Sequence, residues 1–327
     1  MVKVGIPKAL LYYQYYPMWK TFFEGLGAEV VVSPPTTQAT LAAGSSRVVA
    51  DTCLPVKVFC GHVLALVDKC DYIFIPALRS VKSKIYNCSK FLGLPDMTRA
   101  VIPECPPILD IDIDINKGKR RLYQYIYELG RHLSRNPLRV RKAALAAWQV
   151  HREYKELMIN KSLTPPQAIA GVNAETPSPN PDQPAIALIG HPYLLYDELI
   201  NHRLIHHLEQ AGYRVLTPEM LTPEQLATAI TRLTGQPYWT YEEEVVGCGG
   251  HYLESGVEGV IGVIAFGCGP DSLMMDMVQR QAIRLKTTPF MSLTLEEHTA
   301  EAGIATRLEA FLDMIQRRKR AEAKLCV

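Results

Sequence analysis

An uncharged apolar run, Val260 to Phe266, stops abruptly at Gly267-Cys-Gly-Pro270. Runs of this kind suit strands buried on both faces, as in parallel sheets. Shorter runs stand at Lys3 to Pro7, Glu29 to Ser33, Asp71 to Pro76, Ala100 to Pro103, Ile186 to Gly190 and Pro289 to Met291. Segments with helical character separate them. Leu10 to Leu26 is rich in aromatics, and Pro17 marks its expected first turn. A helix from Pro55 to about Asp68 puts Cys53 at or before its N-cap. Asp197 to Ala211 reads as another helix, and so does Leu273 to Leu285, capped by Asp271 or Ser272. Pro34 to Ser46 reads as a polar connection. Strands alternating with helices predict a doubly wound α/β fold.

The middle of the chain breaks that alternation. Leu122, Tyr125, Ile126 and Leu129 fall at helical spacing, as do Leu145, Trp148 and Leu157, with Pro137 between the two sets. Thr164 to Pro184 holds six prolines and reads as an extended linker. The expected organisation is an N-terminal α/β domain over 1–115, a helical insert and linker over 116–184, and a C-terminal α/β domain over 185–327. The two α/β domains look alike. Glu24-Gly-Leu-Gly-Ala-Glu-Val30 aligns with Glu209-Gln-Ala-Gly-Tyr-Arg-Val215, and Gly61-His-Val-Leu64 with Gly250-His-Tyr-Leu253. The matches recur in the same order, which predicts two Rossmann-like domains related by pseudo-duplication.

Composition narrows the classes. Hydrophobic residues are 48% and charged residues 21%, the balance of a soluble globular protein. A net charge of +2 gives no argument for nucleic acid or an anionic membrane surface. No apolar run approaches the ~20 residues that span a bilayer. Val2 to Pro7 reads as a strand rather than a signal peptide, so a cytoplasmic protein is expected. In that compartment the eight cysteines are not a disulfide framework, and no Cys-x-x-Cys pair occurs.

Three cysteines stand where chemistry is expected. Cys268 lies at the carboxyl end of a strand and just before a helix, where open α/β sheets hold their sites. Partial positive charge at a helix start favours a thiolate. Cys53 precedes a helix, and Cys88 follows the strand Asp71 to Pro76. If the carboxyl edges of the two sheets face each other, the three thiols meet in one cleft. Three thiolates there would repel unless a cation neutralised them, which suits a soft metal or an iron–sulfur cluster better than structural zinc. Cys105, in Pro103-Glu-Cys-Pro-Pro107, is a candidate fourth ligand. Cys60, Cys70 and Cys248 read as packing residues, and Cys326 as a terminal thiol. Lys57, one turn from Cys53, is the cation best placed to tune a negatively charged cluster. His191 could face the same cleft.

Asp51-Thr-Cys-Leu-Pro-Val-Lys57, Cys88 with Leu94-Pro-Asp96, and Ala265-Phe-Gly-Cys-Gly-Pro-Asp-Ser272 together resemble a known family. So do Leu293-Thr-Leu-Glu-Glu-His298 and Thr306-Arg-Leu-Glu-Ala-Phe311. The likeness is to the activase-associated relatives of 2-hydroxyacyl-CoA dehydratase and benzoyl-CoA reductase subunits, the superfamily of the double-cubane cluster proteins. It implies two Rossmann-like domains with a helical part. It also implies a 4Fe-4S or double-cubane 8Fe-9S iron–sulfur cluster, with Cys53, Cys88 and Cys268 as metal ligands. An ATP-dependent activase would supply low-potential electrons, and the chain would act in reduction or dehydration of a small or CoA-linked substrate. The resemblance implies a reductase or dehydratase-like component, working as a homodimer or as a heterodimer with a paralogue. The contrasting expectation is a metal-free two-domain module whose cleft holds a small ligand.

Overall fold

The computed structural model describes residues 1–171, 180 and 182–325. Among the described residues, ten strands follow in chain order: β1 (Lys3–Ile6), β2 (Glu29–Val32), β3 (Tyr72–Phe74), β4 (Ala77–Ser80), β5 (Ile108–Leu109), β6 (Asp112–Asp114), β7 (Ala185–Ile189), β8 (Arg214–Leu216), β9 (Gly259–Ala265) and β10 (Phe290–Leu295). One parallel sheet has the order β2-β1-β3-β5, the other β8-β7-β9-β10. A parallel pair, β4 with β6, extends beyond the ends of β3 and β5. Every residue of β7 and β9 is buried, as expected of central strands covered on both faces. The cores of the two sheets are continuous: Val58, Ile73 and Ile75 join Ile186, Leu188 and Ile261 in one buried cluster. Among the described residues, no helix is long and apolar enough to cross a membrane.

Helix Tyr12–Gly25 lays Trp19 and Phe23 on Phe74, with ring centroids 4.5 and 5.1 Å apart. Helices Lys119–Arg131 and Pro137–Lys161 flank it, and Val140, Ala143 and Ala147 of the second join the same apolar cluster. Pro17 is inside the first helix and not at its start. Having no N–H, it leaves the carbonyl four residues back, Tyr13 O, without its helical donor. Tyr154 supplies the replacement, its hydroxyl donating to Tyr13 O at 2.7 Å from helix Pro137–Lys161. Tyr154 is 1% exposed, so a Tyr154→Phe variant would strand that carbonyl in the core. We expect the variant to lose about 1–3 kcal/mol. Denaturant unfolding checks this as a lower midpoint at unchanged slope.

Other expectations change with tertiary context. Ala100 to Pro103 is not a strand; it ends helix Leu94–Val101, whose Pro95 stands in the first turn. The polar connection contains helix Gln38–Ser45, capped where Thr37 accepts from Thr40 N at 3.1 Å. This helix crosses helix Leu54–Leu64 backbone to backbone, at Gly44 and Gly61. A Cβ on Gly44 would overlap Lys57 O, and one on Gly61 would overlap Thr40 O. Asp197 to Ala211 is helical only over Leu204–Gln210. Ahead of it Asp197 accepts from the N–H groups of Leu199 and Ile200 at 3.2 Å, and His202 and Arg203 both take φ 54°. Two side chains in succession in the left-handed region end the helical path there. The expected linker includes helix Pro165–Gly171; residues 172–179 and 181 lie outside the described residues, as does Cys326.

Candidate functional site

Cys53, Cys88 and Cys268 share one structural role. Each is the N-cap of a helix, Leu54–Leu64, Ser89–Leu92 and Gly269–Leu285 respectively, with extended backbone and no hydrogen bond from its side chain to the helix end. Pro55 and Pro270, at the start of their helices, fix two of these positions. Helix Gly269–Leu285 therefore begins four residues before the expected Leu273, and Asp271 lies inside its first turn rather than capping it.

The Cys268 loop is pressed onto the Cys53 segment. Gly267 has φ +79°, and a Cβ there would sit 3.6 Å from both Asp51 O and Cys53 Cα. No atom lies within 4 Å of the position a Cβ would take on Gly269, so that side of the loop is open. Tyr193 is the common neighbour. The ring is half-buried, and burial raises the hydroxyl's pKa well above the ordinary value, with the charges of Asp271, Cys268, Cys88 and Cys53 adding to it. The three expected thiols thus all lie within electrostatic reach of Tyr193.

Charge in this region differs from the expected picture. Burial raises the Cys268 thiol well above its ordinary value, with the Asp271 carboxylate adding to it. Burial raises Cys53 as well, and Cys88 and Asp271 add to it while the Val56 N–H and Lys90 oppose it. Desolvation outweighs the helix-end potential for these two thiols, reversing the expected fall in pKa. His191 and Asp271 are 4% and 1% exposed, with His191 Nε2 at 2.6 Å from Asp271 Oδ1. The N–H direction is poor for a hydrogen bond, and both carboxylate oxygens and His191 Nδ1 lack partners among the described residues. Burial alone would lower the His191 pKa; the adjacent Asp271 more than offsets it and raises it.

Lys57, 6% exposed, does not point a free charge at the thiols. Its Nζ donates to Glu297 Oε2 at 2.6 Å and to Ala50 O at 2.8 Å. Glu297 follows β10, so this ion pair joins the second sheet to the helix of Cys53. Cys105 does not join the three thiols. It precedes β5 at the amino edge of the first sheet, and its thiol, pushed up to about 11 by burial, has Cys70 as a charged neighbour. Cys70 stands against Gly5, and Cys60 and Cys248 are fully buried. Sequence reasoning missed Tyr193, Glu297 and the inward role of Asp271. For Asp271 the signal was Pro270, which marks a helix start one residue earlier.

Three thiols are soft donors, suited to thiophilic metals. Among the described residues, no three His, Cys, Asp or Glu side chains are grouped as ligands of a metal ion. Thiolates that bind separate irons of one cluster need not crowd as ligands of one ion do. The family described as CoA enzyme activase uncharacterised domain (DUF2229) matches residues 3–221, more than half of the chain. The match takes in Cys53, Cys88 and His191 and stops before Cys268. No curated protein matches the chain.

Proposed function

We propose that this chain, which belongs to the CoA enzyme activase uncharacterised domain family, holds an iron–sulfur cluster on Cys53, Cys88 and Cys268. It would receive low-potential electrons from an ATP-dependent activase and use them on a small or CoA-linked substrate. The observation that carries the reading is that three cysteines, distant in sequence, cap three helices around Tyr193. The thiols of Cys53 and Cys268 resist ionisation in the absence of a cation. A bound cluster supplies one-electron chemistry at low potential.

The chain's own residues would do the rest. Helix N-termini offset the negative charge of thiolate ligands. Tyr193, half-buried, stands beside them. His191 is 2.6 Å from Asp271, whose charge favours its protonated form. The Lys57–Glu297 pair is nearly neutral overall, so its part is to clamp the two sheets rather than to raise a potential. Phe266 is 66% exposed beside Cys268, an apolar face on which an electron-donating partner could seat close to the thiols. The family description gives an activase-related domain and names no partner. In this reading Cys105 is no ligand, and a fourth iron takes a small ligand or a second cluster. The shared strand order of the two sheets supports an ancient duplication of domains 1–115 and 185–327, and the assembly would be a dimer of like or paralogous chains.

Anaerobically purified protein should be brown and contain iron and sulfide in comparable amounts. Iron and sulfide counting with the visible spectrum checks this. Colourless protein that stays free of iron after anaerobic reconstitution would leave the metal-free binding module as the surviving account.

A further inference from the structure

A second cleft, of about 610 Å³, lies outside the carboxyl ends of β1 and β2. That volume is within the range of small-molecule sites, about 300–1,000 Å³. Crevices at this edge of an α/β sheet are where such folds bind ligands. Tyr12, Pro35, Pro166 and Ile169 give it an apolar side, and Lys8 and Thr36 a polar one. His202 and Arg203, two of the seven non-glycine residues with left-handed backbone among the described residues, also line it. Strain of this kind collects at ligand sites. Between the cleft and Tyr193 is a void of only about 10 Å³, room for one water. The cleft is therefore separate from the thiol centre.

Its charges are mostly committed. Glu301 pairs with Arg203 at 3.4 Å. Asp197, buried, receives the N–H groups of Leu199 and Ile200 and the hydroxyl of Thr36. Behind Thr36 runs a chain of hydrogen bonds. Lys8 N–H donates to Ser33 Oγ at 2.8 Å, Ser33 is 2.8 Å from His62 Nδ1, and His62 Nε2 is 2.9 Å from Thr36 Oγ1. Because Thr36 donates to Asp197, it accepts from Nε2–H, and Nδ1 accepts from Ser33. Burial, with Lys8 adding to it, holds His62 down at about 4, so it is neutral in this chain. Glu198 is exposed at the rim, in water. Among the described residues, the half-buried Lys8 ammonium enters no ion pair; its electrostatic neighbour Asp197 is already satisfied.

We infer that this cleft binds an organic anion, its carboxylate or sulfonate on Lys8 and its apolar body against Tyr12, Pro35 and Ile169. The inference does not depend on the metal. Titrating the full-length protein with anilinonaphthalene sulfonate, followed by its fluorescence, tests it. The dye should bind saturably, and hexanoate should displace it where hexanol does so poorly. Lys8→Met should weaken binding about ten- to a hundred-fold, the worth of one charge-assisted contact. Pro35→Trp, at an exposed position, should obstruct the cleft with every charge retained, and decides alone if Lys8→Met does not fold. The exposed Lys142→Met should bind as wild type does. Unchanged binding in Lys8→Met or Pro35→Trp, equal competition by hexanol, or an equal loss in Lys142→Met would each overturn the inference.

Discussion

Cys268→Ala protein, prepared without oxygen, is expected to lose its iron and its visible absorbance, as are Cys53→Ala and Cys88→Ala. In the proposed reading each change removes one of three soft donors placed at different helix starts. Among the described residues, Cys60 and Cys248 are enclosed in packing, and Cys70 and Cys105 neighbour each other away from the three. Cys60→Ala, Cys70→Ala and Cys105→Ala should keep the cluster, although Cys60→Ala would lose some stability from the cavity. Iron per folded chain is the measurement. A full complement of iron in Cys268→Ala would make the Phe-Gly-Cys-Gly-Pro-Asp stretch a structural turn and nothing more.

Lys57→Met, which removes a buried cation, should be strongly destabilising. Removing the ammonium leaves Ala50 O without its donor and Glu297 without its partner. Breaking a buried pair costs about 3–5 kcal/mol. Glu297 keeps 26% of its side chain in water, which places the expected loss near the lower limit, about 3 kcal/mol. The hydrogen bond from Lys57 holds the Glu297 carboxyl below its ordinary value of 4.5. A depressed carboxylate contributes stability that is present above its unfolded pKa and lost as pH falls through the folded one. The gap between wild type and Lys57→Met should therefore be full at pH 7 and narrow in acid below about 4.5. Guanidinium unfolding of metal-free protein at both pH values reads this out, and an equal gap at the two would mean that the pair is not what the variant removes.

Much of this arrangement is legible in the sequence where the signal is local. The charge-free run ending at Phe266 and the proline after Cys53 suffice to put two thiols at strand and helix ends. Readings fail where the deciding partner is remote. Pro17 can lie inside a helix because Tyr154, 137 positions later in the chain, takes over one carbonyl. Lys57 reads as a free cation because Glu297 is 240 positions away. Ala100 to Pro103 is too short an apolar run to tell a strand from the last turn of a helix. Cys105 reads as a candidate ligand because the helix end before it has the pattern of a strand. Asp197 to Ala211 has the pattern of one long helix, yet the buried turn at Asp197 and the paired left-handed residues divide it.

The crossing at Gly44 and Gly61 has a mechanical consequence. With no side chain between them, the two helices cannot roll or slide on a cushion of rotamers; their main chains are keyed together at two points. Cys53, Lys57 and His62 all ride on one of these helices. A donor atom mounted this way has little freedom to relax when charge arrives nearby. In the proposed reading, nuclear rearrangement accompanying electron gain by a cluster would be small on this side, which favours fast transfer at modest driving force. Opening and closing, if a cycle requires them, would fall to the Cys268 loop, whose side at Gly269 is open.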